Sequence, residues 1–319
     1  MRERKPPKIC VVGSSNIDLV IQAPRLPKLG ETLIGHSFHI GYGGKGANQA
    51  VMAARLGAEV TMITKLARDV FGEGTMKNYR EQGIDTTYIF FDTSCSSGVA
   101  SIFLDDQAQN FIAIVPGANM ALSPADVQTA RAAIQAADVL VCQLEVPVET
   151  TLKAFRIARS SGVRTILNPA PAAPLLSDGR RSDELLQLTD ICAPNETETE
   201  LLTGQSAKTL EEAERAARQL LARGPKTIIL TLGERGALLV EQNAVEHIPV
   251  IHVDAVDPTG AGDAFIGSLA VYLAEGLALR DVIRRANAIA ALSVTRVGTQ
   301  TSFPTRAEAD AFLKKQGFD

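Results

Sequence analysis

The 319-residue sequence has no tryptophan, four cysteines, four histidines and only 5% aromatic residues, and each scarcity removes a class of protein. Cys10, Cys95, Cys142 and Cys192 lie far apart and form no C-x-x-C pair, so neither a zinc ribbon nor a disulfide framework is written into them. They read as reduced core thiols. The histidines offer no H-E-x-x-H spacing, and His36 and His39, three apart in strand-like sequence, point to opposite faces, which suits structural side chains better than ligands. No apolar run approaches the roughly 18 residues that mark a bilayer span, and the start, MRERKPPK, has no apolar segment of signal-peptide form behind it. A cytoplasmic location is the expectation. A concentrated positive field is missing too. The 36 acidic and 32 basic residues leave a net charge of −4, and the basic start, Arg2, Arg4, Lys5 and Lys8, reads as a solvated tail, so no nucleic-acid or membrane partner is expected.

What is present suits one large globular domain over residues 1–319: 45% hydrophobic and 21% charged residues, and enough length for a sizeable core. Lys8–Gly13 is a short buried strand, Lys45–Leu56 a helix closed by Gly57, and Glu59–Thr64 a strand, which together make a strand-helix-strand crossover. Phe71–Gln82 reads as helix, and Ser123-Pro124 opens another. Short apolar strands at Asp138–Gln143, Arg164–Asn168, Asp190–Ala193 and Lys226–Thr231 alternate with amphipathic helices, which is how a parallel sheet covered on both faces is written. Helices at Gly260–Glu275, Leu279–Val297 and Thr305–Lys315 end the chain. The expected fold is therefore an open, mostly parallel α/β sheet with helices on both faces. Short segments at Asp18–Gln22, Thr32–Gly35 and Ser37–Gly41, and the pair Val99–Leu104 and Asn110–Val115, fall outside this pattern. They are expected to join, as insertions near 17–42 and 95–116, into a small sheet over the mouth of the main one, a lid whose unpaired edges invite a homodimer.

Ligands of open α/β sheets bind beyond the carboxyl ends of the strands, which draws attention to Asn16 and Asp18, Gly43–Asn48, Glu145, Asn195–Glu198 and Asp257–Asp263. In the last, Thr259-Gly260-Ala261-Gly262-Asp263 precedes an apolar helix. Small residues there let a ligand approach backbone N–H groups whose helix dipole adds positive potential. Asp263 beside such an anion hole suits a base that takes the proton of a hydroxyl brought against a phosphate, hence phosphoryl transfer. Gly43-Gly44-Lys45-Gly46-Ala47-Asn48 is not a Walker A loop, because Lys45 is followed by Gly46, and it does not carry the dinucleotide G-x-G-x-x-G after the first strand. Each position also has a bland alternative. Asn16 suits a turn, Glu145 a helix start, Glu198 an exposed helical surface, and Thr231-Leu232-Gly233 a strand end.

Taken together, the motifs Gly13-Ser14-x-Asn16-x-Asp18, GGKGAN followed by Gln49-Ala50, Gln143-Leu144-Glu145, Asn168-Pro169-Ala170-Pro171, Asn195-Glu196-x-Glu198 and Asp257–Asp263 resemble the ribokinase family of carbohydrate kinases, from Ile9 to Pro304. The resemblance implies ATP-dependent phosphorylation of D-ribose at its 5-hydroxyl, with 2-deoxyribose, fructose or a nucleoside as alternative acceptors and an inactive sugar or nucleotide sensor as the alternative of another class. It implies that Asn16, Asp18, Gly44, Lys45, Asn48 and Glu145 hold the sugar. Asp263 would be the base, with Gly260, Ala261 and Gly262 cradling the transferring phosphoryl group. Asn195, Thr231, Gly233, Gly262 and Asn287 would contact the nucleotide, and Glu198 would serve Mg²⁺ through water. Oxygens of Asp257, Thr259, Ser293, Arg296, Gly298 and Ser302, mostly backbone ones, would hold an activating K⁺. Pro258 departs from the threonine common at this position, and having no N–H it forces the loop to satisfy its neighbours differently.

Overall fold

The computed structural model describes residues 5–107 and 109–318. Arg2 and Arg4 of the basic start lie outside them, while Lys5 and Lys8 are exposed. The strands, in chain order, are β1 (Lys8–Val12), β2 (Asn16–Gln22), β3 (Ser37–Gly43), β4 (Glu59–Ala67), β5 (Asp85–Asp92), β6 (Gly98–Leu104), β7 (Asn110–Val115), β8 (Val139–Cys142), β9 (Arg164–Leu167), β10 (Ile191–Cys192), β11 (Thr227–Thr231), β12 (Ala237–Glu241) and β13 (Ala244–Ile248). Nine of them form one sheet, in the order β13-β12-β11-β10-β9-β8-β1-β4-β5. The pairs from β5 across to β11 are parallel and the last two antiparallel.

The two-residue period of a strand divides β1 between two cores. Ile9 and Val11 join the helices Lys45–Arg55, Ala261–Ala274 and Leu279–Ser293 on one face, and Cys10 and Val12 join the helix Val148–Ser160 and its neighbours on the other. Helix Ala261–Ala274 is buried continuously from Asp263 to Leu273 and carries apolar residues all round, the pattern of a helix sealed inside rather than lying on a surface. Among the described residues no helix is long and apolar enough to cross a membrane.

The remaining strands make a second sheet, β3-β2-β6-β7, with β2 and β6 parallel at its centre. The expected strand at Thr32–Gly35 does not form. The stretch is irregular and exposed, and β2 runs directly against Ser37–Gly43, so nothing is left for it to pair with. Strands β5, β12 and β13 go beyond the sequence reading. Cys95 is also corrected: it sits half-exposed in the turn between β5 and β6, whereas Cys10, Cys142 and Cys192 are buried and free.

The order β8-β1-β4 is decisive for function. The chain leaves β1 toward β4 on one side and returns to β8 on the other, so the crevice beyond the carboxyl ends of β1 and β8 is the topological switch point. Ser14 to Asn16 emerge from β1 there, and Gln143 to Glu145 from β8.

Candidate active site

Helix Lys45–Arg55 starts directly on the exit of β1. Gly44 stands at its N-cap with φ of 88°, and a Cβ there would lie 2.7 Å from the Asn16 nitrogen, so both handedness and space require glycine. Glu145 ties this loop down. Its Oε2 accepts the Ser14 hydroxyl at 2.5 Å and the Lys45 backbone N–H at 3.0 Å. The glycine motif is thus both a tight turn and a site-forming element. Asn16, 5% exposed, is held from behind by Asn119, whose Nδ2 donates to Asn16 Oδ1 at 2.7 Å and whose Oδ1 accepts the Ser15 N–H at 2.8 Å. That contact leaves the Asn16 amide nitrogen as the donor free for a ligand.

Asp263 projects from the first turn of helix Ala261–Ala274 and is buried. Asn48 Nδ2 donates to its Oδ2 at 2.8 Å, and Gln49 Nε2 to its Oδ1 at 2.9 Å. Asn48 therefore spends its side chain on the carboxylate, which makes it a support of Asp263 as much as a candidate sugar contact. Asp18, against Gly43, is mostly buried and faces Glu145 and Asp263. Burial first, and then these two like charges, push its pKa up to about 6. Lys45 lies amid Asp263, Glu145 and Glu198. Burial opposes its charge, but the three carboxylates outweigh that and hold its pKa above the usual lysine value.

Asn16 and Glu145 line a cleft of about 860 Å³ together with Asn119, Ile114 and Met120. A second cleft of about 610 Å³ is lined by Asn195, Thr231, Gly233, Gly262 and Asn287, with the apolar Phe265, Ala290 and Val294; Gly262 directly precedes Asp263 in the chain. No side chain caps the N-terminus of helix Ala261–Ala274, and Gly260 holds its N-cap with φ of 80°. The Ala261 N–H is taken by the Pro258 carbonyl at 3.2 Å, while Gly262 lines the cleft, so the positive end of the helix stands at a cleft that also has apolar lining, an arrangement suited to the phosphates and base of a nucleotide.

Other expected residues divide their duties. Glu198 closes a capping box with Asn195, accepting its N–H at 2.9 Å, which gives it a helix-capping duty of its own. Burial lifts the Glu198 pKa, against the pull of the Asn195 amide and Lys45. Asn287 lines the cleft while its Nδ2 donates to the Ile248 carbonyl at 3.1 Å. The Asp257 carboxylate accepts N–H groups of Thr259 at 2.9 Å and Gly298 at 2.8 Å, joining the loop that carries Pro258 to the segment 293–302. Burial works against this carboxylate, yet those hydrogen bonds hold its pKa below the usual range. Ser293 and Ser302 are buried, and the Arg296 side chain turns away to Glu308, leaving only its backbone for an ion.

Sequence reasoning missed Asn119, Gln300 and Asn78. They are single amides outside any recognisable motif, and no local signal marks them. Ser14, Gln49, Gln143 and Asn168 sat inside quoted motifs without a role; the structure places the last three around Asp263.

Comparison with known proteins agrees with this geometry. Residues 6–306 match the family model described as pfkB family carbohydrate kinase. The chain is 42% identical over 311 residues to the ribokinase of Mus musculus, covering 96% of this chain and 95% of that one. It is 41% identical over 305 residues to the deoxyribokinase of Salmonella typhimurium, covering 96% and 98%. The structure of Arabidopsis thaliana ribokinase complexed with ribose and ATP superposes with a TM-score of 0.89 at 31% identity, covering 97% of this chain and 99% of that one.

Proposed function

The chain belongs to the pfkB family of carbohydrate kinases, and from that premise we propose that it transfers the γ-phosphoryl group of ATP to the 5-hydroxyl of D-ribose, giving D-ribose 5-phosphate and ADP. The observation that carries the reading is the position of Asp263: a buried carboxylate on the first turn of a helix with no side-chain cap, held by the amides of Asn48 and Gln49, with Asp18 and Lys45 beside it and Gly262 of the same turn lining the second cleft. The sugar sits against Asn16, Asp18, Gly44, Lys45, Asn48 and Glu145. Asp263 accepts the proton of the 5-hydroxyl as its oxygen bonds to the γ-phosphorus, and the bond to the ADP oxygen breaks. Charge developing on the phosphoryl oxygens meets the N–H groups of Gly260 and Gly262 and the Lys45 ammonium, whereas the Ala261 N–H is bonded to the Pro258 carbonyl.

Among the described residues no group of three or more His, Cys, Asp and Glu side chains converges on a metal position. That suits Mg²⁺ carried by the nucleotide phosphates, with Glu198 holding it through water, since this ion dehydrates reluctantly. When bound, it neutralises phosphate charge. Asp257 and the 293–302 segment, drawn together by the Gly298 contact, suit a K⁺ held largely by backbone oxygens. The small sheet β3-β2-β6-β7 is read as the lid over the sugar. Its exposed Phe38, Ile40, Ile112 and Ile114 favour pairing with a second copy of the chain.

The test is ADP release from ATP with ribose, 2-deoxyribose, fructose and a nucleoside as acceptors, in K⁺ and again with a bulky organic cation in its place. Ribose should give the highest kcat/KM, and K⁺ should raise the rate. Preference for 2-deoxyribose would move the chain to the activity named for the Salmonella relative, binding without turnover would make it a sensor, and an unchanged rate without K⁺ would remove the ion alone.

The Asp18 carboxylate adds a pH signature. Its raised pKa means that it is ionised, and able to accept sugar hydroxyls, only above about pH 6. The ribose KM should therefore climb as pH falls through about 6, while in Asp18→Asn it should be high and flat. An acid limb of the same size in the variant would assign the titration elsewhere.

A further inference from the structure

The two amides on Asp263 are the inner ends of two hydrogen-bonded arms. In the first, Asn78 Nδ2 donates to Gln300 Oε1 at 2.9 Å, Gln300 Nε2 to Asn48 Oδ1 at 3.0 Å, and Asn48 Nδ2 to Asp263 Oδ2 at 2.8 Å. In the second, Gln143 Nε2 donates to Gln49 Oε1 at 2.5 Å, and Gln49 Nε2 to both Asp263 Oδ1 at 2.9 Å and Asn168 Oδ1 at 3.1 Å. Asn78, Gln300, Asn48, Gln49 and Gln143 are all buried, and apart from the adjacent Asn48 and Gln49 they come from positions that the chain separates widely.

The direction of each arm follows from chemistry rather than shape. An ionised carboxylate only accepts, so the amide touching it must present its nitrogen. The oxygen of that amide then faces outward and requires a donor from the next, and so on along the arm. Gln143 Oε1, at the outer end of the second arm, finds no partner among the described residues, as expected if direction is imposed from the Asp263 end. Each carboxylate oxygen has one lone pair occupied by an amide and keeps the other for an incoming hydroxyl proton. Were Asn48 to turn over, its Oδ1 would face Asp263 Oδ2, acceptor against acceptor, and the carboxylate would be pushed out of line.

We propose that Asn78 and Gln300, which line neither cleft, are positioning residues for phosphoryl transfer: they fix the sense in which Asn48 meets Asp263, and thereby the aim of the base. The proposal rests on the reading of Asp263 as that base. Gln300 also lies two residues after Gly298, whose N–H binds Asp257, so the first arm connects the loop proposed for the monovalent ion to the carboxylate that takes the proton.

The experiment compares Asn78→Asp with Asn78→Ala in steady-state assays at about pH 8, where an introduced carboxylate is ionised. That carboxylate can only accept. Gln300 then turns its nitrogen toward it, offers Oε1 to Asn48, and Asn48 turns its oxygen toward Asp263. Alanine deletes one link without reversing the rest. Asn78→Asp should lower kcat about thirtyfold and Asn78→Ala only about threefold, with the KM values for ribose and ATP within about twofold of wild type in both. A role in packing alone would not rank the two this way or confine the loss to kcat. If folded Asn78→Asp matches Asn78→Ala in kcat, or if the losses fall on KM, the proposal is overturned. Should Asn78→Asp not fold, Gln300→Met decides: it is neutral, of similar size and without a donor for Asn48, so a loss of about tenfold in kcat supports the relay and wild-type kcat overturns it. Asp263→Asn in the same assay separates the two ideas. Wild-type turnover there removes the base itself, whereas lost turnover there with no ranking at position 78 removes only the relay.

Discussion

Asp263→Asn should cut kcat by about 10²–10⁴-fold, the usual contribution of a general base, while sugar and ATP continue to bind. The substitution preserves size but removes the only acceptor-only group at the meeting point of two donor amides. Asn48 Nδ2 and Gln49 Nε2 both point at this side chain, so an asparagine amide can satisfy one of them and must oppose the other. The variant therefore loses proton acceptance and also disturbs one arm of the amide network. Its KM for ribose should change far less than its kcat, because on the proposed reading Asn16, Asp18 and Glu145 also hold the polyol. Turnover near that of wild type would end the assignment of Asp263 as base, and a large rise in KM with kcat intact would make it a sugar ligand only.

The parts of this molecule that could be read from sequence are those in which one local pattern has one physical meaning. The crossover from β1 through helix Lys45–Arg55 to β4 was legible because a buried strand, a helical period and a closing Gly57 follow one another without interruption. The helix start within Asp257–Asp263 was legible because small residues there precede a continuous apolar run. Strand β5, half-buried at the edge of the sheet, and the hairpin β12-β13 carry weaker patterns, since an edge position relaxes the demand for a continuous apolar run. Thr32–Gly35 had the composition of a strand but no neighbour to pair with, and pairing is a property of the whole sheet. The amide network was illegible for another reason. Gln300 and Asn48 are 252 positions apart, and a buried glutamine looks in sequence like any surface glutamine. Only the fold, by burying both against Asp263, gives their donors and acceptors a direction.

Gly262→Leu should abolish phosphoryl transfer without harming the fold, and the reason lies in what surrounds that glycine. Its backbone is not in the left-handed region, and a Cβ built on it meets nothing within 4 Å. Glycine inside a helix costs about 1 kcal/mol relative to alanine, so neither strain nor crowding explains its presence. The open volume belongs to the cleft that Gly262 lines, and on the proposed reading a side chain there would occupy the place of the transferring phosphoryl group. Displacement of reacting groups by about 1 Å costs about 10²-fold, so a leucine filling the cradle should lower kcat/KM for ATP by at least about that factor. Tm should stay the same or rise. Gly260, two residues earlier, supplies the contrast. Its φ is 80°, and a Cβ would stand 2.5 Å from Thr299 Cγ2, so Gly260→Ala should lose Tm and activity together. Thermal unfolding and ADP release measured on both variants therefore distinguish a glycine required by the chain from one required by the ligand. A Gly262→Leu enzyme that still turns over ATP at the wild-type rate would place the phosphoryl group elsewhere.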